Sequence, residues 1–272
     1  MSKLSYLHPW TAFDNIRCIT LSNTFDRCLN SQTIFDTLNI PVKFYIANRS
    51  SLGGASGCYD SHIQVIKEAY DSGANHCVIF EDDIEFTSAY NKVVMDEVVD
   101  FVLNTDDWDL LFLGSYPKIG WNSAKRITDN IYKVKCALAH SYIISRSYME
   151  HIKDSKYIGV PIDDVFQYAR SYAVLPSLFI QKPNNSTIQS GRSADNAESN
   201  FKNIWGSCVE YYAMYCGLPI ELILIIFGIA FFALLLLYIF EPFGPKYKFF
   251  IIIFIFVATF VAFFIANSFI IN

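Results

Sequence analysis

The chain has 272 residues, 53% of them hydrophobic and 17% aromatic, with a formal net charge of −5. That length suffices for one sizeable α/β domain plus additional segments, and the acidic balance excludes a general affinity for nucleic acid. The hydrophobic content exceeds what a purely soluble domain needs, and the excess is concentrated after Gly217.

The segment from Met1 to Trp10 has no apolar core long enough for a signal peptide. Arg17 to Leu21 predicts a first strand. Asp26-Arg27 opens a helix that runs to about Leu38, and Pro41 breaks it. Val42 to Ile46 alternates as a second strand. Gly53-Gly54-Ala55-Ser56-Gly57 predicts a flexible loop. A helix over Cys58 to Ser72 follows, with Ile63, Ile66 and Tyr70 on one face and Gly73 at its end. Cys77 to Phe80 is a short apolar run, expected to be a buried strand of a parallel sheet. Asn91 to Leu103 is an amphipathic helix, and Trp108 to Leu113 a strand stopped by Gly114. Pro117 to Asp129 reads as loop. Ile131 to Val134 and Ala137 to Ile144 read as strands, Ser147 to Lys153 as a short helix. Pro161-Ile162-Asp163-Asp164 starts another helix, with acids in its first turn, and Val174 to Ile180 is a late strand. Asn184 to Asn200 is polar and reads as a linker. Alternating strands and helices imply an α/β fold with a mostly parallel sheet.

The C-terminal part is different in kind. Leu218 to Phe240 has one acid, Glu221 near its start, and Phe249 to Ile271 has no charge. Each is close to the ~20 residues a helix needs to cross a bilayer. Glu241 to Lys248 supplies turn formers and two lysines between them, so a two-helix membrane hairpin is expected. The seven cysteines include no Cys-x-x-Cys pair and read as free thiols, most of them buried, rather than as disulfides or a zinc site.

The chemistry is concentrated in Glu81-Asp82-Asp83, which follows the apolar strand directly. Open α/β sheets bind ligands at the carboxyl ends of their strands. Three crowded carboxylates repel one another and are costly to bury unpaired. A divalent cation holding a diphosphate would relieve that repulsion. Side chains alternate along a strand, so Glu81 and Asp83 point to the same side if the strand geometry persists. Asp83 is the first candidate for direct metal contact, with Glu81 beside it. Glu81 or Asp82 would hold a ribose or a metal-bound water. Hard carboxylate oxygens suit magnesium or manganese. A solvated acidic turn is the bland alternative.

The motifs, taken together, resemble glycosyltransferase family 25, which includes lipopolysaccharide sugar transferases and collagen galactosyltransferases. Ile19-Thr20-Leu21 with Asp26-Arg27, Gly57-Cys58-Tyr59-Asp60-Ser61-His62, Val78 to Asp83 and Trp108 to Gly114 carry the likeness. Ala139 to Ser145, Pro161 to Asp164 and Val174 to Gln181 continue it, so that it spans about residues 15–190. Thr20 stands where the family has Asn, and His140-Ser141 is an addition to its Ala-Tyr-Ile-Ile-Ser strand. The resemblance implies a glycosyltransferase A-type fold, a UDP-sugar donor, often UDP-galactose, and manganese.

Asp163 and Asp164 are the candidates for general base, Asp163 first, since a carboxylate within reach of an acceptor hydroxyl takes its proton during attack. Helix capping is the competing explanation for both. Arg27 either meets the nucleotide or caps local structure. His62 either lines the donor pocket or sits on an ordinary helix surface. His140 either completes the metal shell or, as its strand position favours, is a core histidine. Gln181 is placed on the acceptor side. The Gly53 to Gly57 loop lacks a P-loop lysine and is read as a plain loop.

The expected activity is therefore a membrane-anchored, metal-dependent, inverting hexosyltransferase. Its partners would be a nucleotide-sugar donor, membrane lipid, and a glycan, glycolipid or protein acceptor. The alternatives are a catalytically inactive member of the fold that binds or adheres at a membrane, and a membrane protein whose hairpin is the working part. The expected division is a catalytic domain over residues 1–210 and membrane helices over 218–240 and 249–271. Free cysteines and the absence of a signal peptide favour a cytosolic domain. Lys246 and Lys248 in the hairpin loop favour the lumenal alternative.

Overall fold

The computed structural model describes residues 8–117 and 125–181 and, beyond them, Gly228 alone. The expected linker and both expected membrane helices otherwise lie outside the described residues. Among the described residues no helix is long and apolar enough to cross a membrane.

The elements run β1 (Ile16–Leu21), α1 (Phe25–Thr37), β2 (Lys43–Ala47), α2 (Gly54–Asp71), β3 (His76–Glu81), β4 (Ile84–Phe86), α3 (Lys92–Asn104) and β5 (Leu110–Pro117). They continue with β6 (Lys125–Arg126), β7 (Ile131–Lys133), β8 (Cys136–Ser145), α4 (Arg146–Ile152), α5 (Ile162–Val165), β9 (Ser171–Val174) and β10 (Phe179–Gln181). Eight strands form one sheet in the order β2-β1-β3-β8-β5-β9-β7-β6, and β10 pairs with β4 in a small second sheet. The large sheet is mixed, which refines the expectation of a mostly parallel one. β1 pairs in parallel with β2 and β3, and β5 with β9, whereas β8 runs antiparallel to both β3 and β5.

Two apolar cores sandwich the sheet, and β3 feeds both. Cys77 and Ile79 face a core built with Tyr59, Ile63 and Ile66 of α2 and Met149 of α4. Val78 and Phe80 face the other, with Phe35 of α1 and Met95 and Val98 of α3. A strand covered on both faces needs apolar side chains at every position. That is why Cys77 to Phe80 reads as a continuous run, and why the chain turns polar only where β3 leaves the sandwich at Glu81.

Three expectations on element bounds are corrected. The glycine-rich loop is in fact the first turn of α2: Gly53, at φ 103°, makes the entry and Gly54 begins the helix. β5 does not stop at Gly114 but runs through it with register shifts against β8. A Cβ at Gly114 would meet the Phe179 carbonyl and His140 Nε2 and come within 2.6 Å of Ser141 Oγ, so only glycine lets these strands close up. The late strand is two strands, β9 and β10, because Pro176 has no N–H to continue a ladder.

Candidate functional site

β1 and β3 end side by side, with Ile19 in register with Glu81. Their ends, with the start of α1 and the first turns of α2, surround a cavity of about 340 Å³. Arg27, His62, Glu81, Asp82 and Asp83 all line it, so five of the candidate residues meet at one place. Cys58 and Gln181 join them.

The three acids have different surroundings. Asp82 is 5% exposed and fully engaged. Its Oδ2 accepts from Thr20 Oγ1 at 2.6 Å and Thr24 Oγ1 at 3.1 Å, while Oδ1 pairs with Arg27 Nη2. Asp83 is 3% exposed. Its Oδ2 pairs with Arg27 Nη2 at 2.9 Å and accepts from Gln181 Nε2 at 3.1 Å, but its Oδ1 has no hydrogen-bond partner among the described residues. Burial pushes the Asp83 carboxyl up to about 7; Glu81 and Asp82 add to the shift, and Arg27 and Gln181 oppose it.

Glu81 turns one oxygen each way. Oε2 accepts from Gln181 Nε2 at 3.3 Å, so one amide holds Glu81 and Asp83 on a common side, although β3 ends at Glu81 and a turn carries Asp83 there. Oε1 lies 3.3 Å from His62 Nε2 and 3.9 Å from Cys58 Sγ. Burial pushes the Glu81 carboxyl up, but hydrogen bonding to His62 and the fields of His62, His140 and Arg27 outweigh it and hold Glu81 below its usual range. His62 is itself buried, not on a helix surface, and its Nδ1 sits 2.8 Å from the Tyr142 hydroxyl.

Asp163, Asp164 and His140 fall outside the cavity lining. Asp163 is half-buried, and its charge is among those that, after burial, push the Cys58 thiol up. Asp164 is exposed and accepts from Gln167 Nε2 within its own turn. His140 is wholly buried, with Nε2 3.3 Å from the Phe179 carbonyl, and burial lowers its pKa. Gln181 lies on the acids rather than away from them.

Sequence reasoning passed over Thr20 and Thr24 as ligands of Asp82, and Cys58 as a neighbour of Glu81. Only Cys58 had a local signal: it stands four residues before His62 on α2, hence on the same face.

A sandwiched α/β sheet with acids at a strand end beside a cavity defines a ligand-binding α/β domain. The description "Glycosyltransferase family 25 (LPS biosynthesis protein)" matches residues 13–174, and the chain belongs to that family. A relative from Rattus norvegicus, "Probable inactive glycosyltransferase 25 family member 3", is 31% identical over 68 residues, which is 25% of this chain and 12% of that protein. The chain thus matches only a small part of that relative's length. One similar solved structure is a glycosyltransferase involved in glycosylation of the major capsid of PBCV-1. It is 7% identical, covers 64% of this chain and 95% of that one, and gives a TM-score of 0.39. UDP-glucose pyrophosphorylase complexed with UDP-glucose is 11% identical over 62% of this chain and 74% of that one, at a TM-score of 0.35. Likenesses this distant decide nothing about the site.

Proposed function

We propose that this chain is a membrane-anchored, divalent-cation-dependent glycosyltransferase. It would move a hexose, galactose being the first candidate, from a UDP-sugar to a hydroxyl of a glycan, a lipid-linked glycan or a protein, with inversion. The observation that carries this reading is Asp83, a buried carboxylate beside the cavity with one oxygen left unpartnered among the described residues. A donor set of hard oxygens fits magnesium or manganese. Asp83 and Glu81 would hold the ion, which when bound supplies charge stabilisation for the departing diphosphate.

The chain's own groups have separate tasks. Arg27 offsets the repulsion between Asp82 and Asp83 and offers a positive charge to a phosphate. Gln181 fixes Glu81 and Asp83 relative to one another. Thr20 and Thr24 anchor Asp82, which leaves the β1 end of the cavity for the nucleoside. His62 orients Glu81. Asp163, whose charge reaches Cys58 on the cavity wall, is the base that takes the acceptor proton, and Asp164 serves its own helix turn. The test is turnover of UDP-sugars with and without manganese. Cation-dependent release of UDP is expected, and a folded protein that neither binds nor turns over any UDP-sugar overturns the reading.

Anchoring rests on the two apolar stretches 218–240 and 249–271, and the five described cysteines, all unbridged, favour a cytosolic domain. A fragment of residues 1–210 should then be soluble and bind UDP. Aggregation of freshly made fragment would show instead that the hairpin takes part in the fold.

A second reading is an inactive binding member of the family. Arg27 favours it, because a guanidinium already pairs with two of the acids that would otherwise require a cation. UDP binding without turnover, unaffected by manganese, is its signature.

A further inference from the structure

Cys58, His62 and Glu81 bring three ligand atoms within 4.8 Å of one another. Cys58 and His62 are four residues apart on α2, so one helix face presents a thiol and an imidazole together, and the end of β3 delivers the carboxylate. The contacts are loose as hydrogen bonds: 3.3 Å from Nε2 to Oε1 and 3.9 Å from Sγ to Oε1. A charge-assisted N–H···O bond closes to about 2.7–2.9 Å. The nitrogen-to-oxygen contact matches an edge of a tetrahedron around one ion, and the sulfur-to-oxygen contact is somewhat longer than one. With Zn–N and Zn–O near 2.0 Å and Zn–S near 2.3 Å, those edges are about 3.3 Å for N to O and about 3.5 Å for S to O.

The surroundings suit the same purpose. The Tyr142 ring stacks on His62 at 5.8 Å and 20°, and its hydroxyl is 2.8 Å from Nδ1. That hydroxyl oxygen is placed to accept from Nδ1–H, and in that tautomer the Nε2 lone pair is free for an ion between Cys58 and Glu81. All three residues line the cavity, which leaves a fourth position for water or an exogenous ligand.

We propose that Cys58, His62 and Glu81 form a binding site for a thiophilic divalent cation of the zinc class, next to the hard-cation site assigned to Asp83 and Glu81 and sharing Glu81 with it. Binding displaces one proton from the Cys58 thiol to solvent, and the thiolate, the neutral imidazole and the Glu81 carboxylate then coordinate the ion. It takes Oε1 of Glu81 and leaves Oε2, which lies with Asp83 beside Gln181, as the oxygen available to the hard-cation position. The two sites differ in ligand softness, and therefore in metal. This proposal does not rest on sugar transfer.

The test is cobalt(II) titration of the full chain, chelator-treated and kept reduced without added thiol. One cobalt per chain is expected, with intense tetrahedral visible bands, a thiolate-to-cobalt charge-transfer band, and displacement by zinc. Cys58→Ser should remove the charge-transfer band, and His62→Asn should weaken binding at least ~10-fold. Asp83→Asn should keep the full spectrum even if it loses every manganese effect, which separates this site from the proposed transferase reading. Circular dichroism identifies any variant that fails to fold, in which case the other variant decides. Absence of a tetrahedral spectrum in the unmodified chain overturns the proposal. So does a charge-transfer band that survives Cys58→Ser and binding that survives His62→Asn.

Discussion

Asp82 and Asp83 are adjacent, equally buried, and share Arg27, yet they are opposite in kind. Asp82 is closed off by two threonine hydroxyls and the guanidinium. Asp83 keeps an oxygen with no hydrogen-bond partner among the described residues, and burial pushes its carboxyl up to about 7. Burial alone does not make a reactive carboxylate; incomplete satisfaction does. One acid of the run is fully engaged by its neighbours, and the next keeps an oxygen that no described residue engages.

The largest expected effect sharpens this contrast. Asp83→Asn should reduce transfer to the background rate while the domain stays folded, because a carboxamide binds a hard cation poorly. Calorimetric titration of manganese against both proteins checks it, and equal affinity with equal turnover would remove Asp83 from the metal site. Next comes the base. Asp163→Asn should slow transfer by ~10²–10⁴-fold with donor affinity nearly unchanged, and Asp164→Asn should be mild. Loss with Asp164→Asn alone would move the role along by one residue.

Asp82 should fail in a different currency. Asp82→Ala takes a carboxylate acceptor from Thr20 and Thr24, which keep each other and the Leu21 carbonyl, and removes one of the acids paired with Arg27, so unfolding stability should drop by about 1–3 kcal/mol. Thermal denaturation measures it, and a melting temperature within a degree of the parent would mean that the remaining partners compensate in full. The smallest effect is a pH dependence. Raising the folded pKa of Asp83 means that its contribution is fully present below about pH 4 and is lost as pH rises through about 7. In metal-free protein the melting temperature of Asp83→Asn should therefore gain on that of the parent by a few degrees from pH 4 to pH 8. A gap that does not change with pH would show that Asp83 is ionised throughout.

How much of this could be read in advance depended on the range of the interaction. The acid run and its strand follow from local pattern, because β3 is covered on both faces, whereas the meeting of Glu81 with Asp83 comes from the turn after β3 and from Gln181. The start of α2 was hidden, since glycines at 53, 54 and 57 mimic a loop. In the fold Gly57 lies close under Ser50, where an added Cβ would sit 3.3 Å from Ser50 Cβ. The passage of β5 through Gly114 depends on Phe179 and His140, far away in sequence. Thr20 and Thr24 become ligands of Asp82 only because folding carries them across 62 and 58 positions of chain. The base candidates were legible as acids in a first turn, but their unequal exposure was not.

The place of β8 has a consequence for how the protein is made. It lies between β3 and β5, antiparallel to both, yet it follows both in the chain. During synthesis those two earlier strands must wait with open edges until Ser145 has emerged from the ribosome. Unpaired edges of apolar strands are templates for association with other chains. Nascent chains stalled short of residue 145 should therefore lean on chaperones far more than chains stalled after it, even though the acidic run is already complete in both.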